Sequence, residues 1–194
     1  TGRIIAANLD GAEAVIDLAA PIRPDATSPW ANYVRGMNHG LAEDGLDIPG
    51  FDMMISGDMP RGAGLSSSAS LEIASGLALA ALAGQPDFCR TRLARLGQGA
   101  EHHFAGCPCG IMDQLVSARA VQDAALLIDC RSLAVTPVAI PNTIAIMIVH
   151  SGVERGLVEG EYEARRKQCE AAARHYGVKA LRDLAEVPES AGLD

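Results

Sequence analysis

The sequence is poor in basic residues and in long apolar runs. Sixteen Lys and Arg residues stand against 24 Asp and Glu residues, which gives a formal net charge of -8 at pH 7. Because nucleic-acid-binding proteins concentrate Lys and Arg on one face, this balance argues against a nucleic-acid partner. The longest apolar stretch, residues 143–149, is far shorter than the roughly 20 residues that span a bilayer, and no apolar signal segment stands at the N-terminus. We therefore expect neither a membrane partner nor secretion.

The cysteines also lack the pattern of a disulfide framework. Secreted proteins with such frameworks carry an even number of cysteines at regular spacings. Here the number is odd, the spacing is irregular, and most of the cysteines lie in apolar or helical surroundings. The five are Cys89, Cys107, Cys109, Cys130 and Cys169. We expect reduced thiols and a cytoplasmic protein.

Periodicity and turn residues predict a mixture of strands and helices in these 194 residues, 48% of which are hydrophobic. Strands are predicted over residues 4–9, 14–18, 51–56, 125–130, 133–140 and 143–149, the first two joined as a hairpin at Asp10-Gly11. Helices are predicted over residues 30–42, 68–83, 87–105, 110–118 and 162–176. The first helix is expected at the surface, and the second is expected to be buried because it is apolar nearly all round. The irregular alternation, with hairpins, predicts an α+β fold rather than a doubly wound parallel sheet.

A glycine- and serine-rich segment, residues 60–70, lies between a predicted strand and the helix expected to be buried. Gly62 and Gly64 remove side chains, so backbone N–H groups can close on a ligand, and the start of a helix favours phosphate. The segment has neither the lysine of the P-loop nor the third glycine of the dinucleotide fingerprint, and it is not a nucleophile elbow. The residues alone leave two interpretations open, a phosphate site or an ordinary turn with serine caps.

A second cluster of polar residues occupies residues 101–114. Two adjacent histidines and a Cys-Pro-Cys tripeptide suggest zinc, but the cysteine spacing is not that of structural zinc sites, and neighbouring histidines point to different helix faces. Taken alone, Glu101 is typical of a solvated helix residue and Asp113 of a carboxylate at a helix start. Beside a phosphate-binding loop, the same pair could hold Mg²⁺ and accept a hydroxyl proton, which are requirements of a kinase.

Four segments, in order along the chain, resemble the galactokinases of the GHMP family of small-molecule kinases. Residues 60–70 are similar to the family's phosphate loop, and the three serines followed by Ala69-Ser70-Leu71-Glu72 are similar to its galactokinase version. Residues 100–114, 160–169 and 30–36 are similar to three further blocks. The resemblance implies a GHMP-kinase-like α+β fold, whose N-terminal half is like domain 2 of ribosomal protein S5. It implies an incomplete nucleotide-binding domain in residues 1–140 and the incomplete start of a C-terminal domain in residues 141–194.

The resemblance also implies ATP and Mg²⁺ as cofactors, galactose as the small-molecule substrate, and a role for individual residues. The ATP phosphates would be held by Gly62, Gly64, Ser66, Ser67 and Ser68, and the adenine by Trp30 and Tyr33. The metal would be bound by Ser68 and Glu101. Asp113 would face the C1 hydroxyl of the sugar, either removing its proton or orienting it, with Gly110 and Tyr162 close to the sugar. Ordinary packing is the alternative for Trp30, Tyr33 and Tyr162.

The implied activity is transfer of the ATP γ-phosphoryl group to the C1 hydroxyl of galactose. The family's N-terminal sugar-gripping cluster and C-terminal glycine-rich motif have no counterpart in this sequence, so the resemblance implies an interior portion of a longer enzyme and leaves activity of the chain alone open. Related kinases of N-acetylgalactosamine or arabinose are alternatives, as is a non-catalytic sensor of sugar and ATP. A hydrolase using Ser68, His102 and Asp113 is disfavoured, because phosphate-type glycines serve no purpose there.

Overall fold

The computed structural model describes residues 2–6, 11–60, 64–149 and 159–186. The chain divides into two compact units, Thr1–Ser151 and Gly152–Asp194. The predicted end of a nucleotide-binding domain at residue 140 concerns function, which this division does not test. It stays a prediction. The described residues form both helices and strands, including antiparallel pairs, which confirms the predicted α+β class.

The first unit begins with a three-stranded sheet of order β2-β1-β3. Strand β1 (Gly2–Ala6) pairs antiparallel with β2 (Ala12–Ile16) and parallel with β3 (Phe51–Ile55). The pairing of β1 with β2 confirms the predicted hairpin, although Asp10 of its turn lies outside the described residues. One face of β2 enters the core, because Ala14 and Ile16 are buried while Glu13 and Val15 are exposed.

Four helices complete the core of the first unit, and their positions agree with the predicted helices to within three residues. They are α1 (Asn32–Glu43), α2 (Ser67–Leu82), α3 (Arg90–His103) and α4 (Met112–Arg119). Helices α2 and α3 are central, since each of them contacts all three of the other helices. The side chains in the middle of this packing are fully buried: Val34, Met37, Leu41, Leu79 and Leu93.

The prediction that the first helix lies at the surface is wrong. Helix α1 buries most of its residues against α2 and α3. A Cβ atom added at Gly36 would lie 2.5 Å from the Cβ atom of Ala100, so the absence of a side chain at Gly36 lets α1 approach α3 closely. Gly40, one turn later in α1, faces Leu96 of α3. Large apolar residues at helical spacing mark only one face of α1, and they do not reveal a second face buried through glycines.

A second sheet consists of the hairpin β4 (Ala124–Asp129) and β5 (Ala134–Ala139), as predicted. The prediction of a further strand over residues 143–149 is wrong, because no strand is assigned to these residues. A continuous apolar run normally forms a strand that is covered on both faces. In the described residues, no strand pairs with residues 143–149. Its side chains are instead exposed, with Met147 at 85% and Val149 at 79%. Residues 144–149 are called the exposed apolar run below.

The second unit contains α5 (Glu159–His175) and a short 3-10 turn, Leu181–Asp183. Helix α5 confirms the helix predicted over residues 162–176, and the chain leaves it at Gly177 with a φ of 66°. Two ion pairs at i, i+4 spacing lie along it, Glu163–Lys167 and Arg166–Glu170. None of the helices in the described part of the chain is long and apolar enough to cross a membrane.

Candidate functional site

The start of α2 is a tight turn with two residues at positive φ, Gly64 at 75° and Ser66 at 57°. Ser66 precedes the helix in the left-handed conformation, and its carbonyl oxygen accepts the N–H of Ser70 at 3.0 Å. Its side chain makes no capping hydrogen bond with the described residues. The first N–H groups of the helix, at Ser67 and Ser68, are therefore left without that cap and suited to an anion. Gly62 lies outside the described residues.

A cavity of about 550 Å³ joins this turn to the start of α4. Ser66 and Ser70 line it on the α2 side, and Asp113 and Ser117 line it on the α4 side. Apolar side chains form the rest of the wall, as in most small-molecule sites, and the volume is in the usual range for them. Asp113 is half-buried in the first turn of α4. Two predicted site residues, Ser66 and Asp113, thus share one cavity, whereas another cavity of about 380 Å³ is lined by none of the predicted site residues.

Side chains of α2, α3, α4 and the loop before α4 meet in a buried polar cluster. The Nε2 atom of Gln114 donates to Oε2 of Glu101 at 2.7 Å and to Oε2 of Glu72 at 3.1 Å. The thiol of Cys109 donates to the same Oε2 atom of Glu101 at 3.3 Å. Glu72 and Gln114 are completely buried, and Glu101 is 8% exposed. These four residues are called the Gln114 cluster below.

Sequence reasoning assigned no role to Glu72 or Gln114. One signal was present, since Glu72 is the only charged residue in α2. A carboxyl group on the buried face of a largely apolar helix needs a polar partner, and this predicts a second polar residue facing it. That partner, Gln114, lies 42 positions away in the sequence. It could be identified only from the packing of α2 against α4.

The surroundings of the Gln114 cluster favour uncharged forms of two of its members. Burial raises the pKa of Glu72 to about 8, with further increases from the charges of Glu101 and Asp113 and an opposing effect of the Gln114 hydrogen bond. Burial also raises the pKa of Cys109 to about 12, and the neighbouring Glu101 adds to the increase. At pH 7, Glu72 therefore keeps its proton, and Cys109 is a thiol that can donate to Glu101.

Replacing Glu72 by Gln is expected to remove part of the pH dependence of stability. Between the ordinary glutamate pKa of 4.5 and the value of about 8, the folded state holds a proton that the unfolded state has lost. The free energy of unfolding of the original protein therefore falls with rising pH across this range, by about 1.4 kcal/mol per pH unit from this group, and levels off above it. Urea unfolding of both proteins across the range measures the difference. The variant should gain relative stability as pH rises, and a constant difference would contradict the prediction.

The two predicted adenine-binding aromatics lie at the start of α1. Trp30 is half-buried in a 3-10 turn, Pro29–Ala31, and Tyr33 is half-buried in the first turn of the helix. Arg35, only 4% exposed, fixes the preceding segment by donating to the Asp25 carboxylate at 3.1 Å and to the Ser28 hydroxyl at 2.8 Å. The segment just before Trp30 is thus held in place by hydrogen bonds from Arg35.

The remaining predicted site residues belong to different elements of the structure. Gly110 is exposed in the loop between α3 and α4, and Ser68 is half-buried in the first turn of α2. Tyr162 belongs to α5 in the second unit, and its side chain lies outside the described residues. In the part of the chain that the structure describes, no three His, Cys, Asp or Glu residues are grouped to hold a metal. Neither Ser68 nor Glu101 is among the residues that line the cavity. Their chemistry fits Mg²⁺, because a hydroxyl and a carboxylate are oxygen donors, and Mg²⁺ binds few protein oxygens and takes others from phosphates and water.

The chain is similar to a known protein family in sequence and to a solved protein in structure. Residues 32–120 match the family described as GHMP kinases N terminal domain. The structure is similar to that of Lactococcus lactis galactokinase complexed with galactose, with a TM-score of 0.81 and 28% sequence identity. The match covers 95% of this chain and 49% of that galactokinase, so the chain spans about half of its length. The serines at the start of α2, Glu101 and Asp113 all fall inside the family match.

Proposed function

We propose that this galactokinase-like chain, whose residues 32–120 match the GHMP kinase N-terminal domain family, is the nucleotide-binding part of a sugar kinase acting on galactose. The C1 hydroxyl oxygen of galactose attacks the γ-phosphorus of ATP, the bond to the β-phosphate oxygen breaks, and galactose 1-phosphate and ADP form. The observation that carries the proposal is the cavity shared by the uncapped start of α2 and Asp113. Galactose is chosen because the similar solved structure was complexed with that sugar.

The start of α2 would bind the phosphates of ATP. Backbone N–H groups of Ser67 and Ser68 and the positive end of the helix dipole stabilise negative charge without having to reorganise. Ser68 and Glu101 would hold Mg²⁺ together with phosphate oxygens. When bound there, Mg²⁺ would neutralise charge that develops on the phosphate oxygens. Trp30 and Tyr33 would contact the adenine.

Asp113 would act on the acceptor sugar. As a half-buried carboxylate on the wall of the cavity, it can accept the proton of the C1 hydroxyl or orient that hydroxyl in line with the γ-phosphorus. Gly110, two residues before α4, would lie beside the sugar. Binding of phosphate and activation of the acceptor would then come from different helices, α2 and α4.

ADP release from Mg-ATP by this chain, with and without galactose, tests the proposal. We expect release that requires galactose and is weak with glucose. Release that requires N-acetylgalactosamine or arabinose instead would keep a sugar kinase and reject galactose. Binding of ATP and galactose without any turnover would favour a sensor or a chain that is incomplete as an enzyme, and turnover by a longer polypeptide would separate these two outcomes.

Nucleotide binding is measured separately, because it is required by every version of the proposal. Trp30 is the only tryptophan in the sequence. We expect a saturable change of its fluorescence on addition of Mg-ATP, together with heat of binding in calorimetry. Heat without a fluorescence change would reject the role of Trp30 beside the adenine, and the absence of both signals would contradict the kinase proposal itself.

A further inference from the structure

We propose that Gln114 and Cys109 are positioning residues that hold the carboxylate of Glu101 in the orientation needed to bind Mg²⁺. This inference rests on the proposed function, because that function makes Glu101 a metal ligand. Both donors end on one oxygen, Oε2 of Glu101. Two donors on one oxygen fix the plane of the carboxylate and, with it, the direction of its other oxygen. In metal sites generally, such supporting hydrogen bonds orient the ligand and tune its affinity.

The amide of Gln114 is itself held in place. Its NH₂ group donates to the Oε2 atoms of Glu101 and Glu72, and the opposite orientation of the amide would set its oxygen against the Oε2 atom of Glu101. The helices around it are tightly packed, since a Cβ atom at Gly97 would lie 3.1 Å from Cγ of Gln114 and 3.2 Å from Oε2 of Glu72. Gln114 directly follows Asp113 in α4. The same helix thus supports Glu101 and carries the proposed acceptor-activating carboxylate.

Cys109 is also anchored to the helix that carries Glu101. Its carbonyl oxygen accepts hydrogen bonds from Nε2 of His102 at 2.8 Å and from Nε2 of Gln98 at 3.2 Å. These two side chains lie on α3 on either side of Glu101 in the sequence. These two hydrogen bonds hold the backbone of Cys109 against α3, and its thiol donates to Glu101 from that position.

The test compares binding of ADP in Mg²⁺ with binding in EDTA, measured by calorimetry on the original chain and on variants. In the original chain, Mg²⁺ is expected to strengthen ADP binding. Gln114→Met keeps the length of the side chain and removes the donor, and it should reduce this gain about tenfold while ADP affinity in EDTA stays nearly unchanged. Gln122→Met is the matched control, because Gln122 is an exposed side chain outside the Gln114 cluster; it should keep the gain.

A second pair of variants covers the case in which Gln114→Met does not fold. Cys109→Ala should lose part of the gain from Mg²⁺, and Cys109→Ser, which restores a donor, should recover it. Thermal unfolding of each variant confirms that a folded protein is compared.

Three results would overturn the inference. The first is a full Mg²⁺ gain in Gln114→Met, or in Cys109→Ala when Gln114→Met does not fold. The second is an equal loss of ADP affinity with and without the metal, which a purely structural role predicts. The third is an original chain that binds ADP equally well in Mg²⁺ and EDTA, which would remove the metal role of Glu101. An original chain that binds no nucleotide at all would instead reject the proposed function, and the inference with it.

Discussion

Replacement of Asp113 by Asn is expected to lower galactose-dependent turnover by about 10²–10⁴-fold, the usual contribution of a positioned acid–base group. Asparagine matches aspartate in size, so the cavity wall and the first turn of α4 are preserved. It still donates and accepts hydrogen bonds, but it neither takes up the hydroxyl proton nor stabilises the acceptor through a negative charge. ADP release at saturating ATP and galactose measures the loss, and calorimetry should give an ATP affinity within about threefold of the original.

Asp87→Asn is the control for Asp113→Asn. Asp87 is an exposed carboxylate before α3, outside both cavities, and its replacement should leave turnover and ATP affinity as they are. Unchanged turnover of the Asp113 variant would remove Asp113 from the reaction. A loss of ATP affinity as large as the loss of turnover would assign Asp113 to nucleotide binding instead.

Replacement of Gly36 by Ala is expected to lower the free energy of unfolding by about 3 kcal/mol, at the upper end for overpacked cores. The new Cβ atom would lie 2.5 Å from Cβ and 2.7 Å from Cα of Ala100. The Cα atom belongs to the backbone of α3, so no side-chain rotation relieves the overlap, and α1 and α3 must separate. Since typical domains are stable by only about 5–15 kcal/mol, this is a large share of the total. Urea unfolding measures it.

Gly40→Ala in the same helix is the matched control. There the new Cβ atom would lie 3.2 Å from Cδ2 of Leu96, at the end of a side chain that can move. Alanine is favoured over glycine within a helix by about 0.5–1 kcal/mol, which offsets the small adjustment. The stability of this variant should stay close to that of the original protein. Equal destabilisation by the two substitutions would show that Gly36 is not a point of close helix approach.

Local patterns predicted most of the elements correctly. The hairpin of β1 and β2, the hairpin of β4 and β5, and α1 to α5 all lie where periodicity and turn residues indicated. The predicted GHMP-kinase-like α+β fold is confirmed by the family match and by the similarity to a galactokinase structure. These features were predictable because each is encoded in a short, continuous stretch of sequence.

The features that sequence analysis missed depend on contacts between distant segments. The burial of α1 follows from Gly36 meeting Ala100, and the Gln114 cluster joins residues 13 and 42 positions apart. Residues 143–149 have the composition of a strand, yet composition does not supply the neighbouring strand that would pair with them. Of the predicted site, Ser66 and Asp113 share a cavity. The roles of all the predicted site residues, these two included, stay predictions, because they depend on ligands.

The exposed apolar run also bears on how the chain behaves in solution. Residues 144–149 carry no charge and no proline, and most of them favour extended backbone, which is the composition of segments that pair between molecules. The formal net charge of -8 opposes such encounters by repulsion between molecules. Salt shortens the range of that repulsion, to about 10 Å at 0.1 M, without weakening apolar contact. We therefore expect self-association through this run to increase with ionic strength and to be weakest in dilute, low-salt buffers.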